Sequence, residues 1–306
     1  MSEISKYGEV NTHSGDTSYF STPETDLDPH LFLGNKLRPW VRNGVLRILF
    51  DYLAVRYTQP ERWTTAWIAG SGVSYQWSAA RDPGDLDCLV GIDYVTFRRY
   101  NLEYAGLSDR EIANNFNEDF NADLMPKTKL WHGYELTFYV NPQTNIRDIN
   151  PYAAYNLSSD NWEIEPNPHQ APLFTRAWEQ KAERDYKTAT DIINRYSQAL
   201  TDVKATGNPA FRINAERRLN EAIAQAIAFY DDIHHGRKIA FSQIGQGYSD
   251  YNNYRWQAGK RSGVVQALRT IKDYKDRADA ADQLETYGIE LPTAETLIRR
   301  TASRRR

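Results

Sequence analysis

Residues 64–93 read TTAWIAGSGVSYQWSAARDPGDLDCLVGID. The apolar run Trp67-Ile68-Ala69 leads directly into Gly70-Ser71-Gly72, and after a polar connection Asp85-Leu86-Asp87-Cys88-Leu89-Val90 reads as a second, buried strand. Side chains alternate across a strand, so Asp85 and Asp87 share one face with Cα atoms roughly 6–7 Å apart. Leu86, Cys88 and Val90 then point the other way, into an apolar layer. Two carboxylates on one face repel each other, and a divalent cation between them would remove that repulsion.

Working outward, residues 37–57 carry Leu37, Val41, Val45, Ile48, Leu49 and Tyr52 at helical spacing, with Pro39 tolerated in the first turn. Ser108-Asp109-Arg110-Glu111 is a capping-box pattern and opens a helix over about 109–122. Tyr134-Glu135-Leu136-Thr137-Phe138-Tyr139-Val140 then reads as a strand that sets Glu135 among apolar neighbours. A short strand around Trp162-Glu163-Ile164 follows, and the proline-rich stretch from Glu165 to Pro172 marks a domain boundary.

Beyond it the period changes to that of helices. Residues 173–204 place Trp178, Ala182, Tyr186, Ala189, Ile193, Tyr196 and Leu200 on one face. Asn208-Pro209 caps and starts a second helix, which carries Leu219, Ile223, Ile227 and Tyr230 to about residue 240. A Gly/Tyr/Asn loop at 242–253 precedes a third helix over about 254–280 and a short one over about 293–300. Residues 1–30 are polar and read as a mobile or loosely docked arm. The expected organisation is an arm (1–30), an α/β domain (31–168) and a helical bundle (169–306) ending in a basic tail.

Among the 306 residues, 41% are hydrophobic and 13% aromatic, ample for a packed core. The single cysteine excludes an intramolecular disulfide and a cysteine-based zinc site, and Cys88 reads as a small buried residue. No signal peptide or membrane-spanning run is visible, so a cytoplasmic protein with no membrane partner is expected. The net charge of −3 divides into −9 over residues 1–171 and +6 over 172–306. An acidic half that could hold metal thus precedes a basic half that could hold phosphate; solvated faces of long helices would give the same basic excess.

Ala69-Gly70-Ser71, Asp85-Leu86-Asp87-Cys88 and the later Glu135 together resemble the nucleotidyltransferase superfamily of the DNA polymerase beta type. The thirteen residues 72–84 between the first two elements are at the long end for that family, and the resemblance covers residues 64–141, under a third of the chain. It implies an α+β fold, a mixed sheet with flanking helices followed by a helical bundle. It also implies Asp85, Asp87 and Glu135 as catalytic ligands of two Mg2+ (or Mn2+) ions, and Gly70, Ser71 and Gly72 as a phosphate cradle for an NTP. The reaction implied is transfer of a nucleoside monophosphate from an NTP to a hydroxyl acceptor, which could be RNA, a protein, a nucleotide or a small molecule. Pyrophosphate is released.

Each motif also has a plainer reading. The acids could be a solvated or ion-paired strand face, and Gly-Ser-Gly a simple turn. No Gly-Lys-Ser/Thr follows, so it is not a Walker loop. Tyr248, Tyr251, Tyr254, Arg255, Trp256, Lys260 and Arg261 mix aromatics with positive charge. Arg255 and Lys260 are the candidate triphosphate clamp, against packing of the bundle with a basic outer face. His132 is a candidate acid/base near Glu135, and His234-His235 reads as the end of a helix, where positive charge suits the dipole. A non-catalytic nucleotide-binding protein of the same fold, or a nucleic-acid-binding module driven by the basic half, are the alternatives.

Overall fold

In the computed structural model, residues 7–10, 12, 18–77, 83–142, 144–168 and 174–288 are described. They fall into two compact units: residues 18–168 form one, and residues 7–12 with 174–288 form the other.

The first unit is mixed α+β. A small hairpin, β1 (Phe32–Leu33) and β2 (Lys36–Leu37), precedes α1 (Pro39–Ala54). Pro39 occupies the first turn of α1, where a missing N–H costs nothing. Val41, Val45, Leu49, Tyr52 and Leu53 form its buried stripe. Then come β3 (Thr64–Ala69), β4 (Gly84–Ile92), α2 (Tyr94–Tyr100), α3 (Asp109–Asp119), α4 (Met125–Thr128), β5 (Tyr134–Val140), β6 (Ala154–Asn156) and β7 (Asn161–Ile164).

The capping box at α3 forms as expected: the Ser108 hydroxyl accepts from the Glu111 N–H at 3.3 Å and the Glu111 carboxylate accepts from the Ser108 N–H at 2.8 Å. The helix then widens into a π-turn over Phe120–Leu124.

The five strands run in the order β5-β4-β3-β6-β7. β3 pairs antiparallel with β4 and β6, β6 with β7 likewise, and β4 with β5 in parallel, the α2–α4 crossover between them. One face of the sheet lies in the main core. Ala66 and Ile68 of β3, Leu86, Cys88, Val90 and Ile92 of β4, and Leu136, Phe138 and Val140 of β5 pack there with residues of α1 and α3. The other face is covered only in part, by a small cluster of Trp67, Ala69, Ile146 and Ala154 with Leu89 alongside. Cys88 is fully buried, as expected, and burial together with the nearby Asp87 charge pushes its thiol pKa up.

The second unit is helical: α5 (Arg176–Ala205), α6 (Pro209–Ala240), α7 (Tyr251–Arg261) and α8 (Val264–Tyr287). Asn208 caps α6, its side-chain oxygen accepting from the Ala210 N–H at 3.0 Å. The helix expected over 254–280 is two helices. Gly263 adopts φ 81° between them, a left-handed conformation that ends α7 and is easiest for glycine. On α5, Tyr186 of the expected apolar face is exposed, while Ala189, Ile193, Tyr196 and Leu200 are buried. The loop before α7 is tightly built: a Cβ on Gly245 would stand 2.1 Å from the Ala240 carbonyl oxygen. The short helix expected over 293–300 and the basic tail lie outside the described residues.

The arm expected over 1–30 divides between the units. Tyr7 and Val10 pack on the helical core, and the Tyr196 hydroxyl donates to the Gly8 carbonyl at 2.8 Å. Tyr19, Leu27 and Asp28 are buried in the sheet unit. A few well-placed apolar residues within a polar composition suffice to dock each piece. Among the described residues no helix is long and apolar enough to cross a membrane.

Candidate active site

β3 ends at Ala69, and the next residue, Gly70, has a φ of 91° and a ψ of −160°, a region almost reserved for glycine. Its N–H donates to the Ala153 carbonyl at 3.1 Å. Ser71–Val73 then form a single 3-10 turn, closed by the Ser74 N–H and hydroxyl donating to the Ser71 carbonyl at 3.0 and 2.9 Å. Among the described residues no α-helix follows this turn. Ser74 satisfies its own turn instead of propagating it, its hydroxyl also accepting from the Gln76 N–H at 3.0 Å.

This turn lies directly against the acidic strand. A Cβ on Gly72 would stand 2.2 Å from the Asp85 carbonyl oxygen, and one on Gly70 would stand 3.2 Å from an Asp87 carboxylate oxygen. Gly72 is therefore required by close approach to the β4 backbone and Gly70 by its left-handed conformation, physical reasons independent of any ligand.

The strand pattern places the acids as alternation requires. Along β4, Asp85 and Asp87 are half-buried while Leu86, Cys88 and Val90 are buried on the opposite face. The parallel register pairs Asp85 with Glu135, and Asp87 with Thr137. Directly paired residues point to the same face, so Asp85, Asp87 and Glu135 share the sparsely covered face of the sheet, on strands about 4.8 Å apart. The Thr137 hydroxyl donates to Asp87 at 2.8 Å and fixes that carboxylate's orientation.

Beside Asp85, at the start of β4 and β5, Ser18, Asp28, Ser71, Gly72, Trp77, Gly84 and Tyr134 complete the lining of a small cavity of about 30 Å³. That volume suits a water or a bare cation.

Three carboxylates supply the hard oxygen donors that Mg2+ and Mn2+ take. Among the described residues, however, no three His, Cys, Asp or Glu side chains converge closely enough to chelate one ion. Asp85 and Glu135 are neighbours by backbone register, with Asp87 two residues along the same strand.

The remaining candidates have other surroundings. Arg255, on α7, is 13% exposed and its guanidinium donates to Asp185 of α5 at 2.7 and 3.3 Å and to Asp232 of α6 at 2.6 Å. Burial alone would lower its pKa, but these two carboxylates raise it. In the helical unit Arg255 thus ties three helices together. Lys260 is half-buried in the last turn of α7. Tyr254 and Trp256 are buried, and Trp256 packs among Tyr230, His234 and Arg237. Bundle packing accounts for these aromatics.

His132 is exposed and packs its ring against Trp40 and Trp131, with centroids 4.9 and 5.0 Å away. His234 does not end a helix: α6 runs on to Ala240. Burial, then Lys238 and Arg237, lower its pKa, the reverse of the favourable helix-end charge expected from the sequence. Sequence reasoning missed Asp28, Tyr134 and Thr137. Thr137 had a signal, two residues beyond Glu135 on the same strand face, whereas Asp28 lay hidden in a polar stretch.

Comparisons of the chain with protein-family models, with curated proteins and with solved structures find no match.

Proposed function

We propose that this protein is a metal-dependent nucleotidyltransferase. It would move a nucleoside monophosphate from an NTP to a hydroxyl acceptor and release pyrophosphate, on a sheet of the polymerase-beta type. One observation carries the reading: the parallel register that sets Glu135 beside Asp85, on the face that also bears Asp87, with the Gly70-Ser71-Gly72 turn wedged against the same strand. Mg2+ or Mn2+, when bound, would neutralise triphosphate charge and activate the attacking hydroxyl. Asp85, Asp87 and Glu135 would hold the ions, and Thr137 would orient Asp87. Ser71 would donate its hydroxyl to a phosphate oxygen. Arg255 finds less support as a triphosphate clamp, because its donors already meet Asp185 and Asp232.

The test is incubation with each α-phosphate-labelled NTP, Mg2+ or Mn2+, and RNA, protein and metabolite fractions. Label should move to one fraction with the wild-type chain and to none with Asp87→Asn. Absence of transfer to every fraction would refute the proposal. The lack of a converged ligand set favours a second reading, nucleotide binding without turnover, which predicts NTP binding with no labelled product.

A further inference from the structure

The proposed reaction leaves one buried carboxylate at the cavity unused. Asp28 is 6% exposed, although it lies in a stretch whose composition is that of a surface arm. Its carbonyl oxygen accepts from the N–H groups of Leu31 and Phe32 at 3.0 and 2.8 Å, so the backbone there is a closed turn. One carboxylate oxygen accepts from the His30 N–H at 2.8 Å, and the other accepts the phenol proton of Tyr134 at 2.6 Å. The His30 ring stacks on Tyr134 with centroids 5.7 Å apart.

Tyr134 occupies a decisive position. It is the first residue of β5, immediately before Glu135, and its partner across the ladder is Gly84, immediately before Asp85. A Cβ on Gly84 would stand 2.7 Å from the Tyr134 ring, so the ring lies directly on the glycine backbone. The Gly84 N–H donates to the Gly133 carbonyl at 3.0 Å and closes the end of the ladder. Asp85 and Glu135 are the second pair from this end of the ladder, and strand ends fray first.

We propose that Asp28 is a positioning residue of the acid face: by anchoring Tyr134 on Gly84 it fixes the separation of Asp85 and Glu135, and with it their joint affinity for a divalent cation. The proposal rests on the metal-dependent reading above. Asp28 acts through Tyr134 and donates nothing to the reacting groups. Partners that orient ligands from outside the first layer typically change metal affinity by about 10–100-fold.

The experiment titrates Mn2+ into the full chain and into Asp28→Asn, Tyr134→Phe and the double variant, reading free Mn2+ by electron paramagnetic resonance. Melting temperature without metal is measured on each. Asp28→Asn turns one carboxylate oxygen into an NH2 donor, so with the His30 N–H still served the phenol loses the charged acceptor for its proton. Each single variant should weaken Mn2+ binding by about 10–100-fold. The double variant should be no weaker than Tyr134→Phe alone, because both changes break one linkage. Additive losses, or wild-type Mn2+ affinity in folded variants that melt earlier, would overturn the positioning role and leave a purely structural one. Wild-type chain that binds no Mn2+ would overturn the metal-dependent reading and this role with it. If Asp28→Asn fails to fold, Tyr134→Phe alone carries the affinity comparison.

Discussion

A single methyl group at Gly72 tests whether the Gly-Ser-Gly turn is wedged against the acidic strand. The added Cβ would stand 2.2 Å from the Asp85 carbonyl oxygen and 3.5 Å from its carbonyl carbon. Carbon–oxygen contacts need about 3.3 Å, so turn and strand must part by about 1 Å. Neither atom can rotate away. A Cβ is fixed to the backbone, and the Asp85 carbonyl belongs to a strand paired with β3 and β5. Backbone conformation is not the obstacle, since Gly72 lies inside a 3-10 turn open to any residue. Overpacking of this kind costs about 1–3 kcal/mol, which lowers Tm by about 2–4 °C per kcal/mol for a unit of this size. If the face is catalytic, a shift of about 1 Å should also cost on the order of 100-fold in label transfer. Differential scanning calorimetry and the transfer assay on Gly72→Ala, with Gly106→Ala as the control whose added methyl meets open space, measure both. A Gly72→Ala chain that melts with the wild type and transfers label at the wild-type rate refutes the contact.

Asp87→Asn should abolish transfer while leaving Tm unchanged or raised, because it removes one of the like charges on the face and the amide oxygen can still accept from Thr137; a variant that unfolds assigns Asp87 a structural role instead. Arg255→Ala leaves Asp185 and Asp232 without their shared guanidinium and should destabilise the helical unit by about 1.5–3 kcal/mol in urea melts, with the KM for NTP unchanged. A raised KM at unchanged stability, in Arg255→Ala or Lys260→Ala, would restore the clamp. His234 has a lowered pKa in the folded chain, so on acidification the unfolded chain takes up the proton first. Its contribution to stability is therefore full above about pH 6.5, the unfolded value, and is lost as pH falls from there toward the folded pKa. His234→Gln should flatten the pH dependence of Tm in that window, and an unchanged slope contradicts the assignment.

Much of the local structure was legible. The capping box at Ser108–Glu111, the Asn208-Pro209 start of α6 and the buried stripe of α1 each depend on residues within a few positions of one another. Such patterns act through one turn of backbone, and nothing distant can hide them. The break at Gly263 was less visible, because one glycine inside a helical pattern is tolerated unless packing selects its left-handed form. The candidate clamp was ambiguous in sequence for a related reason: Arg255 next to tyrosines looks alike on a ligand-binding helix and on a helix that faces Asp185 and Asp232 from two neighbours.

The sequence by itself determined that Asp85 and Asp87 share a face and that Cys88 lies on the other, because alternation along a strand is a property of the backbone. It also determined that Glu135 sits on a strand. Only the tertiary structure decided that Glu135 stands beside Asp85, since a one-residue slip between β4 and β5 would have turned it into the core. That register is set by a crossover of three helices and by packing at the strand ends, where Asp28 holds Tyr134 and Gly84 receives its ring. Pairings of this kind join residues tens or a hundred positions apart, and no composition or period along the chain encodes them.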